Sequence, residues 1–172
     1  MKPNGQKAFF FDRDGVINID HGYVSKIEDF DFISGIFPVM RSLAEKGYAL
    51  IVVTNQAGIG RGYYTEEDFR TLTAWMLEQF AAEGIEIAGV YRCPHSPEAD
   101  CGCRKPAPGL FLQAIRDHQL DPSACWMLGD KSSDLQAAEA AGIQNRVLLG
   151  RADLRHSTHT ISTLSELLEL PI

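Results

Sequence analysis

Apolar residues in this chain fall into short runs, and each run stops abruptly at polar residues. Ala8-Phe9-Phe10-Phe11 ends at Asp12, Ala49-Leu50-Ile51-Val52-Val53 at Thr54, and Cys125-Trp126-Met127-Leu128 at Gly129-Asp130. Ile87 to Tyr91 and Arg146 to Leu149 are two further runs. Runs without polar alternation fit strands buried on both faces, the pattern of a parallel sheet covered by helices.

The segments between the runs carry helical spacing. Ile36, Val39, Met40 and Leu43 recur at the helix period within 36–46, and Gly47 supplies the stop. Thr65 followed by Glu66, Glu67 and Asp68 is an N-cap with an acidic first turn, opening a helix to about Glu83 that Gly84 ends. Further helices are expected over 110–118, over 132–141 before Gly142, and around 164–168. Residues 16–35 read as a loop or small hairpin, 58–62 as a glycine-rich loop and 93–108 as irregular. This alternation predicts an α/β fold, a Rossmann-like doubly wound parallel sheet of about five main strands, in a single domain over 1–172. Right-handed crossovers then gather Asp12, Thr54, the Cys93 segment and Asp130 at one edge of the sheet.

Composition narrows the partners. With 172 residues the chain can build one sizeable core, and a net charge of -7 argues against nucleic acid or an anionic membrane as the main partner. No N-terminal apolar segment has signal-peptide length, and no run approaches the roughly 20 residues that span a bilayer, so a cytoplasmic location is expected. The expected assembly is a monomer. Four cysteines in such a chain favour thiols or a metal over disulfides.

Chemistry concentrates where the apolar runs end. Asp12 and Asp14 are separated by one residue, and if strand geometry persists both side chains point the same way. One of the two could attack or hold a metal while the other shuttles a proton. Gly129-Asp130-Lys131-Ser132-Ser133-Asp134 adds two more carboxylates to that edge. Four uncompensated carboxylates repel strongly, and Mg²⁺ is the cation that wants few carboxylates together with waters and substrate phosphate. Arg104, Lys105 and Lys131 on the same edge could hold phosphate oxygens. Separately, Cys93-Pro94-His95 and Cys101-Gly102-Cys103 group four soft ligands within 93–103, which predicts a closed, structural Zn²⁺ site. Cys125 lies in a core strand and is left out as a small buried hydrophobe.

The combination of Asp12-x-Asp14-Gly15, Thr54, Lys105, Gly129-Asp130 and Asp134 resembles the haloacid dehalogenase superfamily of phosphotransferases. The resemblance spans nearly the whole chain and leaves little inserted sequence for a cap domain. It implies that Asp12 attacks phosphorus to give an aspartyl phosphate, and that Asp14 protonates the departing oxygen and then activates water. It further implies that Asp12, the Asp14 carbonyl and Asp130 hold Mg²⁺, that Thr54 and Lys105 hold the equatorial oxygens, and that Asp134 supports the site.

Within the superfamily, the zinc loop running into Arg104-Lys105 resembles two groups, the bacterial heptose bisphosphate phosphatases and the histidinol-phosphate phosphatases. The first implies removal of the C7 phosphate of a heptose 1,7-bisphosphate, in the supply of nucleotide-activated heptose for lipopolysaccharide core. Asp20, His21, Gly22 and Tyr23, Asn55, Gln56 and Ala57, with Arg104 and Lys131, match its substrate segments. A second phosphate asks for a remote cation, for which Arg104 is the candidate; an amine would ask for a carboxylate, Asp20 or Glu28. A phospho-acceptor signalling domain would share the acidic cluster, but Asp14 beside the nucleophile would shorten the life of its acyl phosphate. The acidic balance disfavours a zinc-knuckle nucleic-acid module.

Overall fold

The computed structural model describes residues 5–150 and 155–172. Six strands form one sheet, all parallel, in the order β3-β2-β1-β4-β5-β6. They are β1 (Ala8–Phe11), β2 (Ala49–Asn55), β3 (Gly89–Cys93), β4 (Trp126–Gly129), β5 (Asn145–Leu149) and β6 (His159–Ile161). Five helices connect or flank them: α1 (Ile36–Glu45), the single turn α2 (Ala57–Gly60), α3 (Glu66–Ala82), α4 (Gly109–Asp117) and α5 (Ser132–Ala140).

Strand alternation sorts the apolar runs into two cores. Phe9 and Phe11, Leu50 and Val52, Trp126 and Leu128 point to one face with α1 and α3; Ala8 and Phe10, Ile51 and Val53, and Met127 point to the other with α4 and α5. Every residue of β1 is fully buried, because this strand is covered on both faces and paired on both edges. On the first face Phe9 stacks on Trp126 with ring centroids 6.0 Å apart, and on the second Phe10 meets Phe111 at 5.1 Å.

The chain leaves β1 toward β2 and β3 on one side, then crosses back to β4, β5 and β6 on the other. β1 and β4 are therefore neighbours at the point where the winding reverses, which is where the carboxyl ends of strands part to leave a crevice. The Asp12 N–H donating to the Leu128 carbonyl at 3.1 Å closes the sheet just below that crevice.

Several boundaries differ from the sequence reading. The sheet has a sixth strand: β6 is three residues long and carries His159 and Thr160, so it leaves no apolar run, and its pairing with β5 defines it. β3 begins at Gly89 rather than Ile87 and runs to Cys93, because Ile51 pairs with Gly89 and Asn55 with Cys93. The same ladder draws Thr54 and Asn55 into β2. Part of the glycine-rich 58–62 segment is helical in α2, and the terminal helix is a 3-10 helix over Leu164–Glu169. Among the described residues no helix is long and apolar enough to cross a membrane.

Phe10→Ala removes the ring that joins β1 to α4 and is expected to destabilise the fold by about 3 to 5 kcal/mol. Urea unfolding measures this; a loss under about 1 kcal/mol would mean the second core does not depend on that contact.

Candidate active site

The site starts from two tight exits. After β1 the Arg13 carbonyl accepts from the N–H groups of Val16, Ile17 and Asn18, which turns the chain sharply at Gly15. Gly15 has φ +91°, and a Cβ there would come within 2.1 Å of Asp130 Oδ2, so only glycine lets the first exit pack on the second. After β4, Gly129 gives way to Asp130, and Asp134 in the first turn of α5 accepts from the Lys131 N–H at 3.1 Å.

Asp12, Asp130 and Asp134 each bring a carboxylate oxygen within 4.8 Å of the other two. Lys105 answers part of that charge from a fully buried position. Its Nζ donates to Asp12 Oδ1 at 2.9 Å, Asp134 Oδ1 at 2.7 Å and the Val53 carbonyl at 2.8 Å. Burial acts against the ammonium, but the two carboxylates outweigh it and hold the Lys105 pKa above the ordinary lysine value. Burial and the charge of Asp134 push Asp12 upward against the pull of Lys105. Burial, with Asp12 and Asp134 adding, pushes Asp130 up to about 7. Asp130 Oδ1 is buried without a hydrogen-bond partner. A divalent cation with oxygen ligands fits beside Asp12 and Asp130, relieving the repulsion in the cluster and satisfying the orphaned oxygen, while Lys105 already answers Asp134.

Asp14 stands apart from that trio although it lines one cavity with Asp12 and Asp134; Asp130, expected in the same pocket, lies outside that lining. Strand alternation does not aim it, because β1 stops at Phe11 and the turn carries Asp14 round. Its Oδ1 accepts from Arg13 Nη2 at 2.9 Å and Asn18 Nδ2 at 3.0 Å, and its Oδ2 from Gln56 Nε2 at 3.2 Å. Arg13 is itself buried and also donates to the Val24 carbonyl at 2.7 Å, fastening the 20–24 loop.

The second cluster sits where β3 ends. Cys93, His95, Cys101 and Cys103 bring their ligand atoms within 4.8 Å of one another. His95 Nδ1 lies 3.4 Å from Cys93 Sγ and 3.3 Å from Cys103 Sγ, and Cys101 Sγ lies 3.7 Å from Cys93 Sγ. A tetrahedron of roughly 2.3 Å bonds has edges of about 3.8 Å, so these separations suit a four-ligand ion. The Cys93–Cys103 edge is shorter at 2.9 Å. Burial and the Cys103 side chain push Cys93 up to about 12; burial also opposes ionisation of Cys101, but N–H groups of Arg104 and Cys103 bring it down to about 7. Cys125 is buried in the second core, and burial raises its thiol to about 11.

A reciprocal clamp ties this loop to the sheet. Asn55 Nδ2 donates to the Lys105 carbonyl at 3.2 Å while the Lys105 N–H donates to Asn55 Oδ1 at 3.0 Å. The Gln56 N–H donates to the Cys93 carbonyl at 2.8 Å, and a Cβ on Gly60 would lie 2.7 Å from the Ser96 nitrogen.

Between the two exits and this loop lies a cavity of about 560 Å³. Of the residues singled out from sequence, Asp12, Asp14, Asp20, Gly22, Tyr23, Asn55, Gln56, Ala57, Arg104, Lys105, Lys131 and Asp134 line it. Thr54 is fully buried just behind, accepting from Gln56 Nε2 at 2.8 Å. His21 is not in the lining; its ring bonds Asp31 at 2.8 Å on the surface. Lys131 reaches Asp20 at 3.4 Å across the mouth. Arg61, Tyr64, Pro97, Pro106 and Ser133 line the cavity without having been anticipated. Arg61 lies within the glycine-rich stretch 58–62 and Tyr64 two residues after it, and that stretch was the signal available for them.

The HAD-hydrolase-like family model matches residues 102–162. A D-glycero-beta-D-manno-heptose-1,7-bisphosphate 7-phosphatase from Haemophilus ducreyi is 49% identical over 152 residues, covering 84% of each chain. One of the same name from Helicobacter pylori strain 26695 is 45% identical over 170 residues, covering 97% of this chain and 98% of its own. Among solved structures, D,D-heptose 1,7-bisphosphate phosphatase from B. bronchiseptica complexed with magnesium and phosphate is similar at a TM-score of 0.85. It is 26% identical, covering 95% of this chain and 96% of that one.

The proton that Asp130 keeps to about pH 7 in the metal-free protein must leave before a cation can bind. Apparent Mg²⁺ affinity is therefore expected to fall by up to about tenfold per unit below that pH and to level off above it. Calorimetric titration with Mg²⁺ across roughly pH 5 to 8 checks this; a flat affinity would remove Asp130 from the ligand set.

Proposed function

The chain belongs to the family of the heptose bisphosphate phosphatases, haloacid dehalogenase-like hydrolases, and from that premise we propose how its own residues do this family's work. It is a phosphomonoester hydrolase that removes the C7 phosphate of D-glycero-D-manno-heptose 1,7-bisphosphate and leaves the heptose 1-phosphate, a step toward nucleotide-activated heptose for lipopolysaccharide core. The observation that carries the substrate is near full-length kinship with relatives of that activity. The pocket agrees with it: Arg104, next to Lys105 in the lining, has a buried Nη1 without a hydrogen-bond partner, a cation left over for a second phosphate. Histidinol phosphate finds no comparable support. Of the two carboxylates considered for its amine, Asp20 is paired with Lys131 and Glu28 lies outside the lining.

In the first half-reaction an oxygen of Asp12 forms a bond to phosphorus as the bond to the C7 oxygen breaks, and Asp14 delivers its proton to that oxygen. In the second, Asp14 takes a proton from water, the water oxygen bonds to phosphorus, and Asp12 is released. Lys105 and the Thr54 hydroxyl hold the phosphoryl oxygens in line, and Arg104 anchors the far phosphate. The segments around Asp20–Tyr23, Asn55–Ala57 and Lys131 enclose the sugar. Asp12, Asp130 and the Asp14 carbonyl hold Mg²⁺, which when bound shields the attacking carboxylate from the phosphate charge. Asp134 stays on Lys105 and sets its direction. Cys93, His95, Cys101 and Cys103 hold a structural Zn²⁺ that leaves no position for water. The enzyme works as a cytoplasmic, monomeric single domain over 1–172, on a small phosphorylated sugar rather than on nucleic acid or a membrane.

Phosphate release from heptose 1,7-bisphosphate and from histidinol phosphate tests the substrate. The bisphosphate is expected to have the far higher kcat/KM, and Arg104→Ala to narrow the gap by lowering the bisphosphate value alone. A native enzyme preferring histidinol phosphate would overturn the assignment.

Cys101→Ser is expected to lower zinc content and to reduce kcat/KM by at least roughly tenfold at near-native secondary structure, since Arg104 and Lys105 lose their fixed aim. Elemental analysis, circular dichroism and kinetics check this together; a zinc-free, fully active variant would make the metal incidental.

A further inference from the structure

One chain of buried hydrogen bonds beside the cavity joins Asp14 and Thr54, through Gln56, to Tyr64, a residue with no part in the reaction as written. Gln56, 2% exposed, donates from Nε2 both to Asp14 Oδ2 at 3.2 Å and to Thr54 Oγ1 at 2.8 Å. Its Oε1 accepts a hydrogen bond from the Tyr64 hydroxyl. Tyr64 is almost fully buried, and its ring lies against Gly58, where a Cβ would come within 2.1 Å of Cε1. Burial, with the Asp14 carboxylate adding, pushes the phenol up to about 12 despite Arg13, so it keeps its proton to donate.

The orientation of the Gln56 amide follows from these partners. A carboxylate at Asp14 accepts only, so the amide nitrogen faces it, and the amide oxygen is left to Tyr64. Turned over, the amide would aim its oxygen at Asp14 Oδ2. That turned form gains appeal whenever Oδ2 carries the proton meant for the leaving group, because it would capture that proton in a hydrogen bond. The turn would break the bond from Tyr64, whose hydroxyl would have to rotate and accept from the amide nitrogen in its place. Oδ1 is held by two donors, Arg13 and Asn18, and Oδ2 by Gln56 alone, so Oδ2 is the oxygen with room to carry a proton.

We propose that Tyr64, acting through Gln56, is a positioning residue that keeps the Asp14 carboxyl aimed at the departing oxygen and ties it in register with Thr54. This rests on the reading of Asp14 as the proton donor. Tyr64 touches no reacting atom; kcat/KM reads its effect on the first half-reaction, in which Asp14 must deliver a proton.

Leaving-group dependence separates this role from a packing role, because a sugar alkoxide needs protonation whereas p-nitrophenolate does not. The experiment compares kcat/KM for heptose 1,7-bisphosphate and p-nitrophenyl phosphate in the native enzyme, Tyr64→Phe, Gln56→Ala, the double variant and Asp14→Asn. Tyr64→Phe keeps the ring against Gly58. It is expected to lose about tenfold on the bisphosphate, the scale of one lost buried hydrogen bond, and several-fold less on the aryl phosphate. In the Gln56→Ala background, Tyr64→Phe is expected to add no further loss. Equal losses on both substrates, no loss on either, or an undiminished loss without Gln56 would each overturn the proposal while Asp14→Asn still discriminates between leaving groups. An Asp14→Asn enzyme that does not discriminate would instead refute the proton-donor reading, and this proposal with it.

Discussion

A buried ammonium held among carboxylates organises this molecule. Lys105 is 3% exposed and bridges Asp12 after β1, Asp134 on α5 and the Val53 carbonyl of β2. Each partner alone would be costly to bury. Together they neutralise one another in part, and what remains is a deficit of positive charge at Asp12 and Asp130. That residual deficit suits a cation, and the orphaned Asp130 Oδ1 marks the place. The charge balance ties the sheet, the loop that follows β3 and the first turn of α5 into one object, so none of the three can shift without exposing an uncompensated charge.

The fold makes this economical because the winding reverses between β1 and β4. Two exits at adjacent strands bring Asp12 and Asp130 together without long loops, and the glycines at 15 and 129 permit the close contact. A Cβ on Gly129 would come within 2.4 Å of the Asp134 Cβ, just as one on Gly15 would meet Asp130. Two hydrogen atoms in place of side chains therefore set how close the carboxylates can come.

Burial on both faces made β1, β2, β4 and β5 legible as uninterrupted apolar runs. β6 escaped because three residues with one buried side chain leave no pattern, and β3 was misplaced because apolar Ile87 precedes a ladder that starts at Gly89. Among chemical residues, those directly at strand ends and the closely spaced Cys/His pairs stood out, since their neighbours in sequence are also their neighbours in space. Arg61, Tyr64, Asn18 and the second job of Arg13 did not, because loop residues choose partners through the path of the chain. The separation of Asp14 from the other three carboxylates was equally invisible, for it depends on two donors within its own turn and a third, Gln56, that follows β2.

The walls of the cavity are all fastened. The segment after β3 is clamped by Asn55 at Lys105 and pressed against α2 at Gly60, the 20–24 loop is held from beneath by Arg13, and Asp20 reaches Lys131 across the mouth. Each of these ties works against hinging of the walls. Binding energy from the substrate then goes into alignment instead of into drawing a lid shut, and traffic in and out runs through a fixed aperture. Selection falls to the dimensions of that aperture and the spacing of the cations inside it, which favours a short ligand with charge at both ends over a long chain that a moving cover could have accommodated.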